Sequence, residues 1–323
     1  MNDDQDSAAP REPAPKPTAV PPNFAEQFAW EALREQRLAR RWGIFFKCVF
    51  LLYLFGILAA SMPKLGAVSG MGGKKITALV DVEGVIADGS EASADKVVTG
   101  LRAAFDDRNT AGVIVRINSP GGSPVQAGYI NDEIFRLKRK HPGIPVYAVI
   151  QDICASGGYY VATAADEIYA DKASLVGSIG VRMDGFGFVD TMHKLGIERR
   201  LFTAGTNKGF LDPFSDLDPA HVEHVRKMLG EIHQQFINTV QKKRRAKLAD
   251  DPELFSGLVW TGEKALELGL VDELGSTGQV AREVIGAEKI VDFTPRDYSV
   301  EGLLKRSGVA ILSDFVAGGG WHW

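Results

Sequence analysis

The chain has 323 residues, of which 45% are hydrophobic and 24% charged, a balance that suits a globular protein with a sizeable core. A net charge of −4 excludes a general electrostatic attraction to nucleic acid. Two cysteines, Cys48 and Cys154, exclude a disulfide framework. The six histidines fall in no metal-ligand spacing; His221 and His224 read as one solvated helix face. No metal or cofactor is expected.

Residues 1–23 are rich in Pro, Ala, Asp and Ser and read as a disordered tail. Residues 24–41 read as a charged helix, with Arg34, Arg37, Arg40 and Arg41 toward its end. The run 42–62 is apolar apart from Lys47, and about twenty residues at a rise of ~1.5 Å span a hydrocarbon core. The flanking arginines predict a cytoplasmic N-terminus, with everything after Met62 across the membrane. A cleaved signal peptide is disfavoured because the run is long and starts only at Trp42.

From about Lys75 to residue 295, strand and helix patterns alternate. Strands are expected at Ile76–Val82, Gly112–Ile117, Val146–Ile150 and Glu167–Ala170. Helices are expected at Ser93–Phe105, Pro124–Arg139, Ser156–Ala165 and Pro219–Lys247. That order predicts an α/β domain with parallel strands and crossover helices. The basic cluster Lys242 to Lys247 reads as a solvated helix C-terminus. Residues 296–323 form a tail whose apolar end is too short to span a bilayer.

Three segments in this domain could carry chemistry through backbone. Asn118-Ser119-Pro120-Gly121-Gly122 stands between a strand and a helix, where paired glycines could aim N–H groups at an oxyanion or simply make a tight turn. Cys154-Ala155-Ser156-Gly157-Gly158 puts a serine where a strand stops and a helix starts. Ser156 is there either a nucleophile above a helix N-terminus or an ordinary N-cap. The α/β-hydrolase spacing Gly-x-Ser-x-Gly is missing, since position 154 is Cys, which itself reads as a buried structural residue.

No histidine stands in a suggestive context for a triad; His141 and His193 do not. A neutral lysine in an apolar or glycine-rich pocket can activate a serine instead. Lys208, within Gly205-Thr206-Asn207-Lys208-Gly209-Phe210, has such company, although an exposed loop lysine would look the same. Ser178, in Val176-Gly177-Ser178-Ile179-Gly180, could hold an amine in place or be a turn serine.

Taken in order, these pieces resemble the signal peptide peptidase A family of membrane-anchored serine peptidases. Val259-Trp260-Thr261-Gly262 and Gly269-Leu270-Val271-Asp272 extend the likeness, which runs from about Ile76 to Gly275. The chain is similar to the short, single-domain form, since the Ser156 motif is not repeated. The resemblance implies a Clp/crotonase-like fold of stacked βαβ units. It implies a Ser-Lys dyad of Ser156 and Lys208, with Ser178 orienting the lysine. Backbone N–H groups near Gly121, Gly122 and Gly157 would form the oxyanion hole. It also implies a homo-oligomeric ring in which neighbouring subunits share each site. The substrates implied are signal-peptide remnants and other unfolded peptides, and the site would lie on the periplasmic side of a bacterial inner membrane. A crotonase-like acyl-CoA enzyme and a non-catalytic membrane scaffold are the alternatives on the same fold.

Overall fold

The computed structural model describes residues 23–61 and 74–296. The expected tails over residues 1–22 and 297–323, and the end of the expected anchor at Met62, lie outside them. The chain divides into two units, one up to Gly72 and one from Gly73.

In the first unit, helix α1 runs without a break from Phe24 to Ser61. The charged segment and the start of the apolar run are therefore one helix rather than two elements. Ala, Leu, Arg, Glu and Gln dominate its first half, and no proline interrupts it. Trp42, Phe45 and Phe46 pack ring to ring, with centroids 5.7–5.8 Å apart. Residues 41–56 are exposed. Among the described residues, no helix is long and apolar enough to cross a membrane; the apolar run read from the sequence continues past them.

The second unit follows the alternating pattern. Its first half contains β1 (Ile76–Glu83), α2 (Ala94–Asp106), β2 (Thr110–Ser119), α3 (Pro124–Lys140), β3 (Val146–Ala155), α4 (Gly157–Ala162), β4 (Glu167–Ala170) and β5 (Leu175–Gly177). Then come α5 (Val189–Leu195), the long α6 (Pro219–Arg244), β6 (Val259–Thr261), α7 (Gly262–Glu267) and β7 (Glu273–Leu274). Helix α8 (Thr277–Gln279) continues as a π-helical turn, and β8 (Ile290–Asp292) closes the described chain.

The sheet has the order β6-β5-β3-β2-β1-β8. All pairs are parallel except β5 with β6. Strand β3 forks the sheet. Its start, Tyr147–Val149, pairs with β4, and its end, Ile153–Ala155, pairs with β5. Both sheet faces are covered, as a parallel sheet requires. One face packs Val80, Val115, Ala148 and Ile150 against Val97 and Leu101 of α2 and Ile130 and Ile134 of α3. The other carries a smaller cluster of Leu79, Ile114, Val149 and Tyr169 with Val280 and Ala281. Each large side chain so buried contributes roughly 1.5–3 kcal/mol.

Two expectations need correction. Helix α4 is shorter than the expected 156–165: it begins only at Gly157 and stops at Ala162, because the chain must turn back into β4. The basic end of α6 is not wholly a solvated face. Arg244 is 4% exposed; its guanidinium donates to the Gly269 carbonyl and to both carboxylate oxygens of Asp272. Burial opposes the charge on Asp272, but the bonds from Arg244 and Lys247 outweigh it and hold the carboxyl below its usual range. Lys243 covers the Phe135 ring at 4.1 Å.

The parallel strands β1, β2 and β3 all finish at one edge of the sheet. The loops beyond their carboxyl ends carry Ile86, Gly121-Gly122 and Ser156. In parallel α/β sheets such a crevice is where sites are built.

Candidate active site

The turn at Ser156 is forced by its neighbours. The Ser156 N–H donates to the Gly177 carbonyl at 2.8 Å, which completes the β3–β5 ladder. The next residue already starts α4, so a single residue absorbs the whole reversal, with φ 52° and ψ −120°. A non-glycine residue held there costs ~1–3 kcal/mol. Small neighbours make the turn possible: a Cβ on Gly158 would lie 3.0 Å from the Ser119 carbonyl oxygen. The Ser156 side chain makes no capping bond to α4. The N-cap alternative is therefore not realised, and Ser156 lines a cavity of about 860 Å³.

The glycine turn after β2 forms the opposite wall. Gly121 and Gly122 have φ of 97° and 148°. A Cβ on Gly121 would come within 2.7 Å of the Ala155 oxygen, the Gly157 nitrogen and the Ser156 Cβ. The two loops thus meet backbone to backbone. Gly122 is clamped by a bridge to Ile86: Ile86 N–H donates to the Gly121 carbonyl, and Ser123 N–H donates to the Ile86 carbonyl. The Gly121 N–H is itself engaged, donating to Ser119 Oγ at 3.1 Å in a buried bond. It is not a free oxyanion donor, contrary to expectation. Among the described residues, Gly122 N–H and Gly157 N–H have no hydrogen-bond partner. The Gly122 nitrogen lies 3.3 Å from where a Cβ on Gly157 would stand, and both residues line the cavity. Two such donors at the start of a short helix suit a developing negative charge.

This packing predicts the effect of a single methyl group. Gly122→Ala drives a Cβ to 2.1 Å from the Ile86 oxygen. It should cost more than ~2 kcal/mol in chemical denaturation. Gly128→Ala in α3 meets nothing within 4 Å and should be neutral or stabilise by up to ~1 kcal/mol.

Ser178 stands beside Ser156. The register pairs Ala155 with Gly177, so the residues that follow each leave the sheet side by side. Ser178 has φ 50° and is held by its N–H to the Leu258 carbonyl at 2.7 Å. It lines the same cavity. Gly177 permits this, since a Cβ there would press within 3.1 Å of Trp260 and the Leu258 oxygen.

Lys208 is elsewhere. It is exposed, on the loop between α5 and α6, and does not line the Ser156 cavity. One chain alone therefore does not bring the two expected partners together. The loop is nonetheless built. Asp212 accepts from Arg199 and Ser215, and these bonds lower its carboxyl to about 2. Among the described residues, three non-glycines have positive φ: Ser156, Ser178 and Leu211. Two flank the cavity and the third lies three residues from Lys208.

Sequence reading missed several cavity residues. Tyr160 and Phe236 form an aromatic wall, with centroids 5.3 Å apart. His233 lines the cavity, with Nε2 3.0 Å from the Ile179 carbonyl oxygen. The spacing of Ile232, His233 and Phe236 on one stripe of α6 was the available signal. Cys154 is fully buried, and burial pushes its thiol far above its usual range, so it is inert.

Comparison with known proteins agrees with this geometry. The profile of Peptidase family S49 matches residues 138–290. A protein of Brucella abortus named "Na(+)/H(+) antiporter NhaA" is 46% identical over 186 residues, 58% of this chain. The chain spans only 25% of that protein, and three quarters of it lie outside the match. The "Putative signal peptide peptidase SppA" of Enterococcus faecium is 29% identical over 237 residues, covering 71% of this chain and 68% of the relative. A Synechocystis protein named "Putative protease slr0021" is 32% identical over 203 residues, covering 63% of this chain and 71% of the relative. With the strained serine, the glycine clamp and the matched segments in register along one chain, the protein belongs to the signal peptide peptidase A family, peptidase family S49.

Proposed function

We propose that this chain is a membrane-tethered serine endopeptidase acting on signal-peptide remnants and other unfolded peptides. The observation that carries this reading is Ser156 itself, strained, uncapped and lining a cavity with two unbonded N–H groups. In the proposed reaction Ser156 Oγ attacks the peptide carbonyl, and its proton passes to the neutral amine of Lys208. The oxyanion is held by Gly122 and Gly157. The lysine then returns the proton to the leaving amine, and water later hydrolyses the acyl-enzyme by the same route. Ser178 keeps the amine aligned.

The fold would be of the Clp/crotonase kind, and the assembly a ring in which one subunit lends Lys208 to its neighbour's Ser156. Exposed apolar side chains in the Lys208 region support self-association. Phe186, Leu195 and Phe202, on the segment that leads to Lys208, are 81%, 67% and 90% exposed. The anchor at 42–62, with arginines before it, would place the N-terminus in the cytoplasm and the peptidase domain in the periplasm. An acyl-CoA enzyme of the same fold would need carboxylates as acid and base. Among the described residues, those lining the Ser156 cavity include no Asp or Glu.

A serine-directed fluorophosphonate tests the reading. Incubated with the membrane-extracted full chain, it should modify Ser156 alone, as mapped by peptide mass spectrometry, and should stop peptide hydrolysis in step. Hydrolysis that survives complete labelling, or a label on another serine, would sink it.

A further inference from the structure

The loop that carries Lys208 is fixed at both ends, and by different means. At its far end Phe214 lies between the Phe188 ring, 5.5 Å away and stacked, and the Arg199 guanidinium at 5.2 Å. At the Lys208 end the anchor is a pair of histidines. The Phe210 ring meets His221 edge to face at 5.0 Å and 65°, and meets His224 at 5.6 Å and 84°. His221 Nε2 also lies 3.3 Å from Asn207 Oδ1, with the ring nitrogen as donor, since the amide oxygen can only accept.

Asn207 directly precedes Lys208, and Phe210 follows two residues later. The chain is thus tied to the first turns of α6 on both sides of the lysine. The loop backbone is coiled tightly between them: Lys208 N–H donates to the Gly205 carbonyl and Phe210 N–H donates to the Asn207 carbonyl, both at 3.1 Å. Leu211 takes a positive φ of 56° at the exit. Strain at one end and an aromatic clamp at the other leave Lys208 little freedom to translate. Further along α6, Ile232, His233 and Phe236 wall the Ser156 cavity. One rigid helix therefore holds both the loop of the base and the wall of the groove.

We propose that His221 and His224 are positioning residues for Lys208. They hold Phe210 and Asn207, and through them set where the lysine amine stands. The proposal rests on Lys208 being the general base. The histidines touch neither substrate nor reacting atoms. A displacement of about 1 Å in a catalytic group can cost on the order of 10²-fold in rate, so a clamp one residue from the base is well placed to matter.

The test compares full-length variants in the assembled state. The double variant His221→Ala with His224→Ala should lower kcat, and the rate at which fluorophosphonate labels Ser156, by about 10-fold or more, with KM unchanged. The pair His221→Gln with His224→Phe keeps a donor toward Asn207 and a ring toward Phe210, and should return kcat to within about 3-fold of wild type. Phe210→Ala removes the same contacts from the loop side without altering α6, and should reproduce the alanine pair should that pair fail to assemble. Wild-type kcat in both the alanine pair and Phe210→Ala overturns the clamp, as does a conservative pair as impaired as the alanine pair. Lys208→Ala, measured alongside, separates the two failures. An active Lys208→Ala defeats the reading of the base, whereas an inactive Lys208→Ala beside a fully active alanine pair defeats only the clamp.

Discussion

Replacement of Ser156 by alanine should lower peptide hydrolysis by at least about 10³-fold, because it removes the hydroxyl proposed to attack the substrate. Cys154, two residues away, is buried with its thiol held protonated. Ser178 leaves the sheet beside Ser156 but starts no helix, so no N–H groups of a helix start follow it. The fold should survive, since the Ser156 side chain makes no bond to α4. Ser156→Gly sharpens the test. Glycine relieves a positive φ that costs serine ~1–3 kcal/mol, so this variant should melt higher than wild type while hydrolysing nothing. Thermal denaturation and a fluorogenic peptide assay on the same preparation read both effects. A protein that loses activity and gains stability at one residue is holding strain there for function. Unchanged hydrolysis in Ser156→Ala defeats the nucleophile outright.

The parts of this site that were legible in the sequence are those whose cause is local. Val146–Ile150 reads as a strand because its apolar residues are β-branched and small, though β3 runs on to Ala155, and Ser156-Gly157-Gly158 reads as a turn because only small residues tolerate it. Gly121-Gly122 is marked as a backbone approach by its composition. What it approaches, Ile86, is 35 residues earlier and unmarked. Strands β5 to β8 are two or three residues long, too short for a period of two to register. The places of β5, β6 and β7 come from the fork in β3, and that of β8 from the free edge of β1, neither of which a local pattern encodes. Arg244 looks like one of five basic residues at a helix end; only the fold reveals that it turns inward to Asp272. His221 and His224 share a solvated helix face, as their spacing says, and that face also meets Phe210, which the spacing does not tell. The Gly121 N–H, read as a donor to an oxyanion, is taken by Ser119 two residues earlier in the same motif, a contact that only the folded turn shows.

The exposed position of Lys208 makes a sharper prediction than its removal does. If each site is composite, a Ser156→Ala subunit still carries a good lysine and a Lys208→Ala subunit still carries a good serine. Each variant alone is inactive. Co-assembled, they recreate intact junctions wherever a subunit with its serine meets a neighbour with its lysine. For equal, random mixing in a closed ring with one such junction per subunit, roughly a quarter of the junctions are intact. Activity should therefore recover to about 25% of wild type from two dead parents. It should rise and fall with the mixing ratio, peaking at equality. Differently tagged subunits, purified in tandem so that every assembly holds both, make the measurement clean. If Ser156 and Lys208 instead meet within one chain, no mixed assembly contains a whole site and recovery is nil. Lys208 does not line the Ser156 cavity, and its loop is pinned to α6 by Phe210 and Asn207 rather than free to swing inward. On the proposed dyad the lysine comes from a second copy, and recovery on mixing is the expected outcome.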